Sequence, residues 1–159
     1  MADALTGAGA TPALDDIDKA LIRLLQTDGR MPYSKLGPAV GLSSAAARQR
    51  VQRLMESGVI EIVAVSQPLK LGFHIQAMVG IRADGDIRAL AAALAEVEQL
   101  VYVVVSSGHY DLIVELVCTD ARELLAIVND RIRTLPGVTS TETYNYLYIE
   151  KVKYAWGTA

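Results

Sequence analysis

One cysteine, Cys118, and two histidines, His74 and His109, are all the thiol and imidazole side chains that 159 residues offer. A lone cysteine cannot close an internal disulfide, and these three positions show no metal-ligand spacing. No metal and no cofactor is expected. Nucleophile patterns of the Ser-x-x-Lys or Gly-x-Ser-x-Gly kind are missing, as is a phosphate-cradling glycine loop. Enzymatic chemistry therefore has little to stand on. No apolar run approaches ~18 residues, so no membrane-spanning helix is expected. The first residues, MADALTGAGATPAL, lack the basic start and apolar block of a secretory signal. A cytoplasmic protein without membrane contact is the simplest expectation.

Positive charge is also short. Fifteen Lys and Arg face eighteen Asp and Glu, a net charge of −3. Taken whole, that argues against nucleic acid, whose binders usually show a basic footprint. The average hides an asymmetry. Residues 1–67 carry seven basic and seven acidic side chains; residues 68–159 carry eight and eleven. The acidity belongs to the second part. Apolar residues make up 52%, enough for a core and too many for a disordered chain. At roughly 100–200 residues per domain, the length allows one ordinary domain or two small ones.

The chain reads as two units. Residues 1–13 are small and polar and are expected to be a flexible tail. Asp15 and Asp16 suit a helix start, and Ile17, Leu21, Leu24 and Leu25 follow helical spacing. Asp28-Gly29 stops that helix, and Pro32 suits the opening of a second, with Leu36 and Val40 inward and Gly41 at its end. Ser43 can cap a third helix from Ser44 to about Ser57, with Ala47, Val51 and Leu54 inward. Helices two and three are joined by about three residues, the sequence shape of a helix-turn-helix. The β-rich segment Val59–Ser66 is expected to form a small wing or a linking strand.

After a linker punctuated by Pro68 and Gly72 the character changes. Ile75, Ala77, Val79 and Ile81 alternate with other residues as a strand, and Asp86 can cap a helix lined by Ile87, Leu90, Leu94 and Val97. Leu100–Ser106 and Leu112–Cys118 read as two further strands. Asp120 with Glu123 resembles a capping box opening a second helix, whose apolar face is Leu124, Ile127, Val128 and Ile132. Val138–Tyr148 reads as a last strand. The order β-α-β-β-α-β predicts a ferredoxin-like sheet with both helices on one face. Tyr144, Tyr146 and Tyr148 then share one side of the last strand, opposite Leu147 and Ile149. With the aliphatic side on the helices, the tyrosines lie on an open face that wants a partner. The predicted class is α+β: an N-terminal (winged) helix-turn-helix over 14–66, a linker over 67–73, a ferredoxin-like domain over 74–154 and a C-terminal tail over 155–159.

The strings LDDIDKALIRLLQTDGR, LGPAVGLSSAAARQRVQRLMESGVI, VVSSGHYDLIVELV and LPGVTSTETYNYLYIEKVK closely resemble the Lrp/AsnC family of transcriptional regulators. The resemblance runs from about Leu14 to Tyr154. Its most telling pieces are Leu42-Ser43, Arg50-Val51, Arg53-Leu54, Gly58-Val59-Ile60 and Leu135-Pro136-Gly137-Val138. It implies DNA binding by the first unit, amino-acid sensing by the second, and dimers through the C-terminal sheets that assemble into tetramers, octamers or larger discs. The siroheme decarboxylases share this architecture. They are one alternative, with Arg82, His74 and His109 as pocket residues. A DNA-independent metabolite-binding assembly module is another.

On the third helix, Arg48, Arg50 and Arg53 form a local basic cluster that can approach phosphate in an acidic chain. Ser44, Ala45, Arg48 and Gln49 are the outward positions of its N-terminal half, the part that enters the major groove of double-stranded DNA. Arg48 can pair with guanine and Gln49 with adenine. Arg50 and Arg53 suit phosphate contact or the bracing of helices. Little else there can hydrogen-bond, so much of the readout is expected from DNA shape. In the second unit, Ser106, Ser107, Gly108, His109, Tyr110 and Asp111 join two strands. Glycine lets backbone N–H groups approach a carboxylate, and Asp111 can accept from an ammonium, the two ends of an α-amino acid. A plain hairpin turn would use the same residues. The resemblance places a Gly-x-x-Asp loop, here Gly108–Asp111, in the effector site between dimers, and adds Thr143, Tyr144 and Asn145 as lining residues.

Overall fold

The computed structural model describes residues 13–152 and Thr158. Most of both expected tails therefore lies outside the described residues. The rest divides into two compact units, one running to Ala64 and including Val152, the other Val65–Lys151.

The first unit contains α1 (Asp16–Thr27), α2 (Tyr33–Ala39) and α3 (Ser44–Glu56). Their starts follow from local chemistry. The Asp15 carboxylate accepts from the Asp18 N–H at 2.7 Å, and the Ser43 hydroxyl accepts from the Ala46 N–H at 3.2 Å, so each satisfies a helix-terminal donor. Leu21, Leu36, Ala47 and Val51 form the core, flanked by Ile17, Leu24, Leu25, Tyr33 and Ile60. Burying each large side chain is worth about 1.5–3 kcal/mol.

The α2–α3 turn depends on Gly37. Its carbonyl accepts from both Val40 and Leu42, at 3.1 and 2.8 Å. A Cβ on Gly37 would lie 2.8 Å from the Leu42 carbonyl oxygen and 2.9 Å from the Ser43 backbone. The turn thus folds directly onto the helix, with no room for a side chain.

The expected wing or linking strand over 59–66 is not formed. The Val59 and Ile60 N–H groups both turn back to the Leu54 carbonyl, at 2.9 and 3.3 Å, and finish α3. Beyond them no described segment pairs with the backbone, and Ile62, Val63 and Val65 are exposed. A β-rich composition needs a neighbouring strand, which this chain does not supply here. A short 3₁₀ turn, Pro68–Leu71, follows.

The second unit is a four-stranded antiparallel sheet of β1 (Ile75–Ala83), β2 (Leu100–Val105), β3 (Leu112–Cys118) and β4 (Val138–Asn145), in the order β2-β3-β1-β4. Between β1 and β2 lies α4 (Ile87–Ala95), and between β3 and β4 lies α5 (Ala121–Ala126). Ala77, Val79 and Ile81 on β1 face Leu116, Val114 and Leu112 on β3. All six are buried against Leu90 and Leu94 of α4 and Ile127 and Ile132 beyond α5, so both helical elements cover one face. Cys118 is buried in the same layer, where desolvation raises its thiol pKa and keeps it unreactive.

Three details depart from the sequence reading. After Ala126 the helix widens into π form over Ile127–Ile132, with Arg133 N–H bonded to Val128 O at 2.9 Å. The wider turn puts Ile127 and Ile132, five residues apart, on the same core. The Glu123 carboxylate reaches back to Thr119 rather than to the cap residue Asp120. Lastly, β4 ends at Asn145, not Tyr148. Tyr146 N–H still reaches Gln76 O at 2.9 Å, but β1 begins at Ile75 and offers little beyond. Leu147 is 96% exposed, so the segment past β4 has no aliphatic side packed on the helices.

Helix propensity alone favours Gly37→Ala by about 1 kcal/mol. The backbone contact predicts the opposite sign, a net loss of roughly 1–3 kcal/mol for the first unit. Thermal or urea unfolding reads that sign, and a stabilised variant would refute the close approach.

Candidate functional site

Two groups of polar side chains emerge, one in each unit. In the first, the three arginines of α3 divide their roles. Arg50 donates to Asp15 at 2.6 Å and to Asp18 at 2.9 Å. Arg53 donates to both oxygens of Asp18, at 3.0 and 2.8 Å. Asp18 is only 1% exposed, the one buried charged residue among those described. Two spacings make this clamp: Asp15 and Asp18 lie three apart at the start of α1, and Arg50 and Arg53 lie three apart on α3. The Asp15 carboxyl is held below its ordinary range, first by the Asp18 N–H and then by Arg50; Arg50 is raised in turn, chiefly by Asp15. Sequence reading took Asp15 only as a helix-start residue.

Arg50 and Arg53 therefore brace α3 against α1. Ser44, Ala45, Arg48 and Gln49 remain exposed on the N-terminal half of α3. The Arg48 side chain makes no ion pair or hydrogen bond among the described residues.

In the second unit the loop after β2 is organised by its own side chains. The Ser106 hydroxyl donates to Tyr110 O at 2.8 Å and accepts from Gly108 N–H at 3.1 Å. Ser106 N–H bonds to Asp111 O at 2.9 Å, and Asp111 N–H bonds to Ile81 O at 3.0 Å. The Asp111 carboxylate accepts from Ala83 N–H at 2.9 Å. Among the described residues, the N–H groups of Ser107, His109 and Tyr110 have no acceptor. The loop thus holds three backbone donors without an acceptor among the described residues and one carboxylate, that of Asp111, anchored on β1.

Tyr110 leaves the loop and lies across the open face of the sheet. Its ring occupies the space over Gly80, where a Cβ would come within 2.5 Å of it. Its hydroxyl donates to the Glu142 carboxylate and lies 2.9 Å from the Tyr144 hydroxyl. Register explains the meeting. Gly80 pairs with Glu142 and Met78 with Tyr144, and directly paired residues share a face. The same register splits the expected trio on β4. Thr143 pairs with Val79 and Asn145 with Ala77, so both lie on the helix-side face, away from Tyr110 and Tyr144. Glu142 and Gly80 were missed by sequence reading. The alternation of β4 with Tyr144 could have pointed to Glu142, but only the pairing with β1 brings it to Tyr110.

The contact shifts both partners. Glu142 is held below the ordinary carboxyl range, first by the Tyr110 hydroxyl and then by that of Tyr144. Tyr110 is pushed up, chiefly by Glu142. A second pair lies on the same face: Gln76 donates to Glu115 at 2.8 Å, and Tyr146 is pushed up to about 12 by burial and by Glu115.

A helix-turn-helix with an exposed basic residue on its third helix, followed by a ferredoxin-like unit with a donor-rich loop, defines a ligand-responsive class of DNA-binding protein. Residues 14–55 match the AsnC-type helix-turn-helix domain, and residues 76–155 match the Lrp/AsnC ligand binding domain. The chain belongs to the Lrp/AsnC family of transcriptional regulators. It is 33% identical over 144 residues to an uncharacterized HTH-type transcriptional regulator of Pyrococcus abyssi, covering 89% of this chain and 91% of that protein. It is 34% identical over 140 residues to the HTH-type transcriptional regulator FL11 of Pyrococcus furiosus, covering 87% and 92%. The leucine response regulatory protein LrpA of Mycobacterium tuberculosis superposes with a TM-score of 0.81 at 29% identity, over 91% of this chain and all of that one. A Neisseria meningitidis regulator solved with L-Met shares the fold, with a TM-score of 0.81 at 22% identity over 90% and 96%. The family is one of regulators, not enzymes, which sets aside the decarboxylase alternative. No helix among the described residues is long and apolar enough to cross a membrane.

Asp18→Asn is expected to destabilise the first unit by about 1–3 kcal/mol. That is less than the ~3–5 of a wholly buried pair, because Arg53 is 61% exposed. Denaturant unfolding measures it, and no loss would refute the clamp. In the second unit the signs are set by linkage. A carboxyl held low lends stability above its unfolded pKa and loses it as pH falls through the folded value. A phenol held high lends stability below its unfolded pKa and loses it as pH rises through the folded one. The Tyr110–Glu142 contact is thus fully favourable between the ordinary Glu and Tyr ranges. Tyr110→Phe should move the Glu142 midpoint upward in a carboxyl-carbon NMR titration; an unmoved midpoint would show that the phenol does not hold it.

Proposed function

We propose that this regulator reads DNA through Ser44, Ala45, Arg48 and Gln49, with Arg50 and Arg53 acting as braces, and that an amino acid controls it through the loop Ser106–Asp111. The DNA-binding domain is placed at 14–66, the linker at 67–73 and the effector domain at 74–154, and the protein works in the cytoplasm as a homodimer or a larger assembly of dimers. The loop carries the effector reading. Three unpaired N–H donors beside an anchored Asp111 carboxylate match the carboxylate and ammonium of an α-amino acid. The L-Met complex of the Neisseria meningitidis regulator supports the same chemistry, as a property of that protein. Arg48 supports the DNA reading, because it alone of the three arginines on α3 is free of Asp15 and Asp18. The open sheet face, with Tyr102 and Tyr144 exposed, supports self-association.

A gel shift on the protein's own upstream region, with and without a panel of amino acids, tests both halves. A specific shift that responds to at least one amino acid is expected. No shift at low salt would sink the DNA reading; a shift that ignores every amino acid would sink the sensor reading. Arg48→Ala should weaken binding to the specific fragment by roughly tenfold, corresponding to a lost contact of about 1–3 kcal/mol, and narrow the gap to random DNA. Wild-type affinity for both fragments would remove Arg48 from the interface.

A further inference from the structure

We infer that the effector carries a cationic side chain, and that Glu142, set between Tyr110 and Tyr144, selects it. The inference rests on the amino-acid reading of the loop and narrows it to one chemical class.

The argument starts from a surplus of negative charge. The loop already supplies what the backbone of an α-amino acid needs: unpaired N–H donors from Ser107, His109 and Tyr110 for its carboxylate, and Asp111 for its ammonium. Asp111 is well placed for one such task. Its carboxylate is steadied by Ala83 N–H at 2.9 Å, and its main chain is tied at both ends. Glu142 is a second carboxylate joined to this loop through the Tyr110 hydroxyl. No lysine or arginine among the described residues pairs with it, since the ion pairs present all lie between Asp15, Asp18, Arg50 and Arg53; the one basic side chain that acts on it is His109, from the loop itself. Arg82 stands two positions along β1, opposite Ser140, and makes no ion pair.

Glu142 is also held ready to accept a charge. Phenol hydroxyls occupy part of its capacity, while a carboxylate can accept about four hydrogen bonds. The surrounding rings add to the attraction. Tyr110 and Tyr144 meet edge to face at 6.5 Å, and His109 meets Tyr110 likewise at 4.8 Å. Tyr110 reaches the carboxylate through its hydroxyl, so aromatic rings stand next to it, and an ammonium or guanidinium is drawn to carboxylates and to rings alike. A neutral side chain laid here would strip water from Glu142 without replacing its hydrogen bonds, which is unfavourable. Gly80 makes the arrangement possible, because only a missing side chain lets Tyr110 lie flat and join loop to strand.

The test uses the full chain and isothermal titration calorimetry at pH 7 with L-lysine, L-arginine, L-norleucine, L-methionine and L-leucine. Norleucine has the lysine carbon chain without its ammonium. Lysine or arginine should bind about tenfold more tightly than norleucine, the size of one charge-assisted contact with aromatic support. Glu142→Gln should bring that ratio near one, and Glu142→Asp should restore part of it. Circular dichroism melting of each variant confirms that the sheet is intact. Equal or tighter binding of the neutral amino acids, or a ratio that Glu142→Gln leaves unchanged, overturns this inference and leaves amino-acid sensing standing. Binding of none of the five also overturns this inference, and amino-acid sensing falls with it when the gel-shift panel finds no responsive amino acid either.

Discussion

A carboxylate that is 1% exposed dominates the first unit. Removed from water, Asp18 is tolerable only where donors replace the lost hydration, and two guanidinium groups on another helix do so. Because those groups lie one helical turn apart on α3, the contact fixes the rotation of α3 against α1 as well as their distance. That rotation leaves Arg48 and Gln49 on the outside. The orientation of the face proposed to read DNA is thus a consequence of an ion pair on the opposite side of the same helix. The balanced charge of this unit therefore conceals a local difference: Arg50 and Arg53 are paired with Asp15 and Asp18, while Arg48 on the same helix is unpaired and exposed.

The second unit answers to a different constraint, the central position of β1. Flanked by β3 and β4, it must bury Ala77, Val79 and Ile81 on one face and present Met78, Gly80 and Arg82 on the other. Gly80 is where those demands meet the loop. Without a side chain, the strand leaves a bed for the Tyr110 ring, and the ring carries the loop to Glu142 and Tyr144. A residue that weakens a strand by propensity thereby positions the candidate ligand surface.

Much of this fold was legible in the sequence. Helix ends announced themselves through Asp15, Ser43, Asp86 and Asp120, each of which accepts from helix-terminal N–H groups. Period-two alternation marked the buried face of β1 and β3 residue by residue. The failures share a cause. Val59–Ser66 and the end of β4 have β composition but lack a neighbouring backbone, and a single sequence does not say where a neighbour stops. The candidate sites divided in the same way. The exposure of Arg48 was legible from helical spacing, whereas the loop Ser106–Asp111 was singled out by its residue types together with the family resemblance, since residue type alone fits a plain hairpin turn. The pairing of Arg50 and Arg53 with aspartates some 35 residues away, and of Tyr110 with Glu142, was not legible, because these contacts cross between elements.

The sequence by itself thus determined two units, the identity and capping of their elements, and which strand positions turn inward. These follow from interactions between residues close along the chain, where periodicity and caps act directly. Only the tertiary structure decided which arginines stay free for a ligand, which face of β4 carries the polar cluster, and that Glu142 rather than Thr143 or Asn145 stands beside the loop. Those outcomes depend on strand register and helix rotation. A shift of one residue in register exchanges the two faces of a strand, and nothing local in the chain records which of the two was chosen.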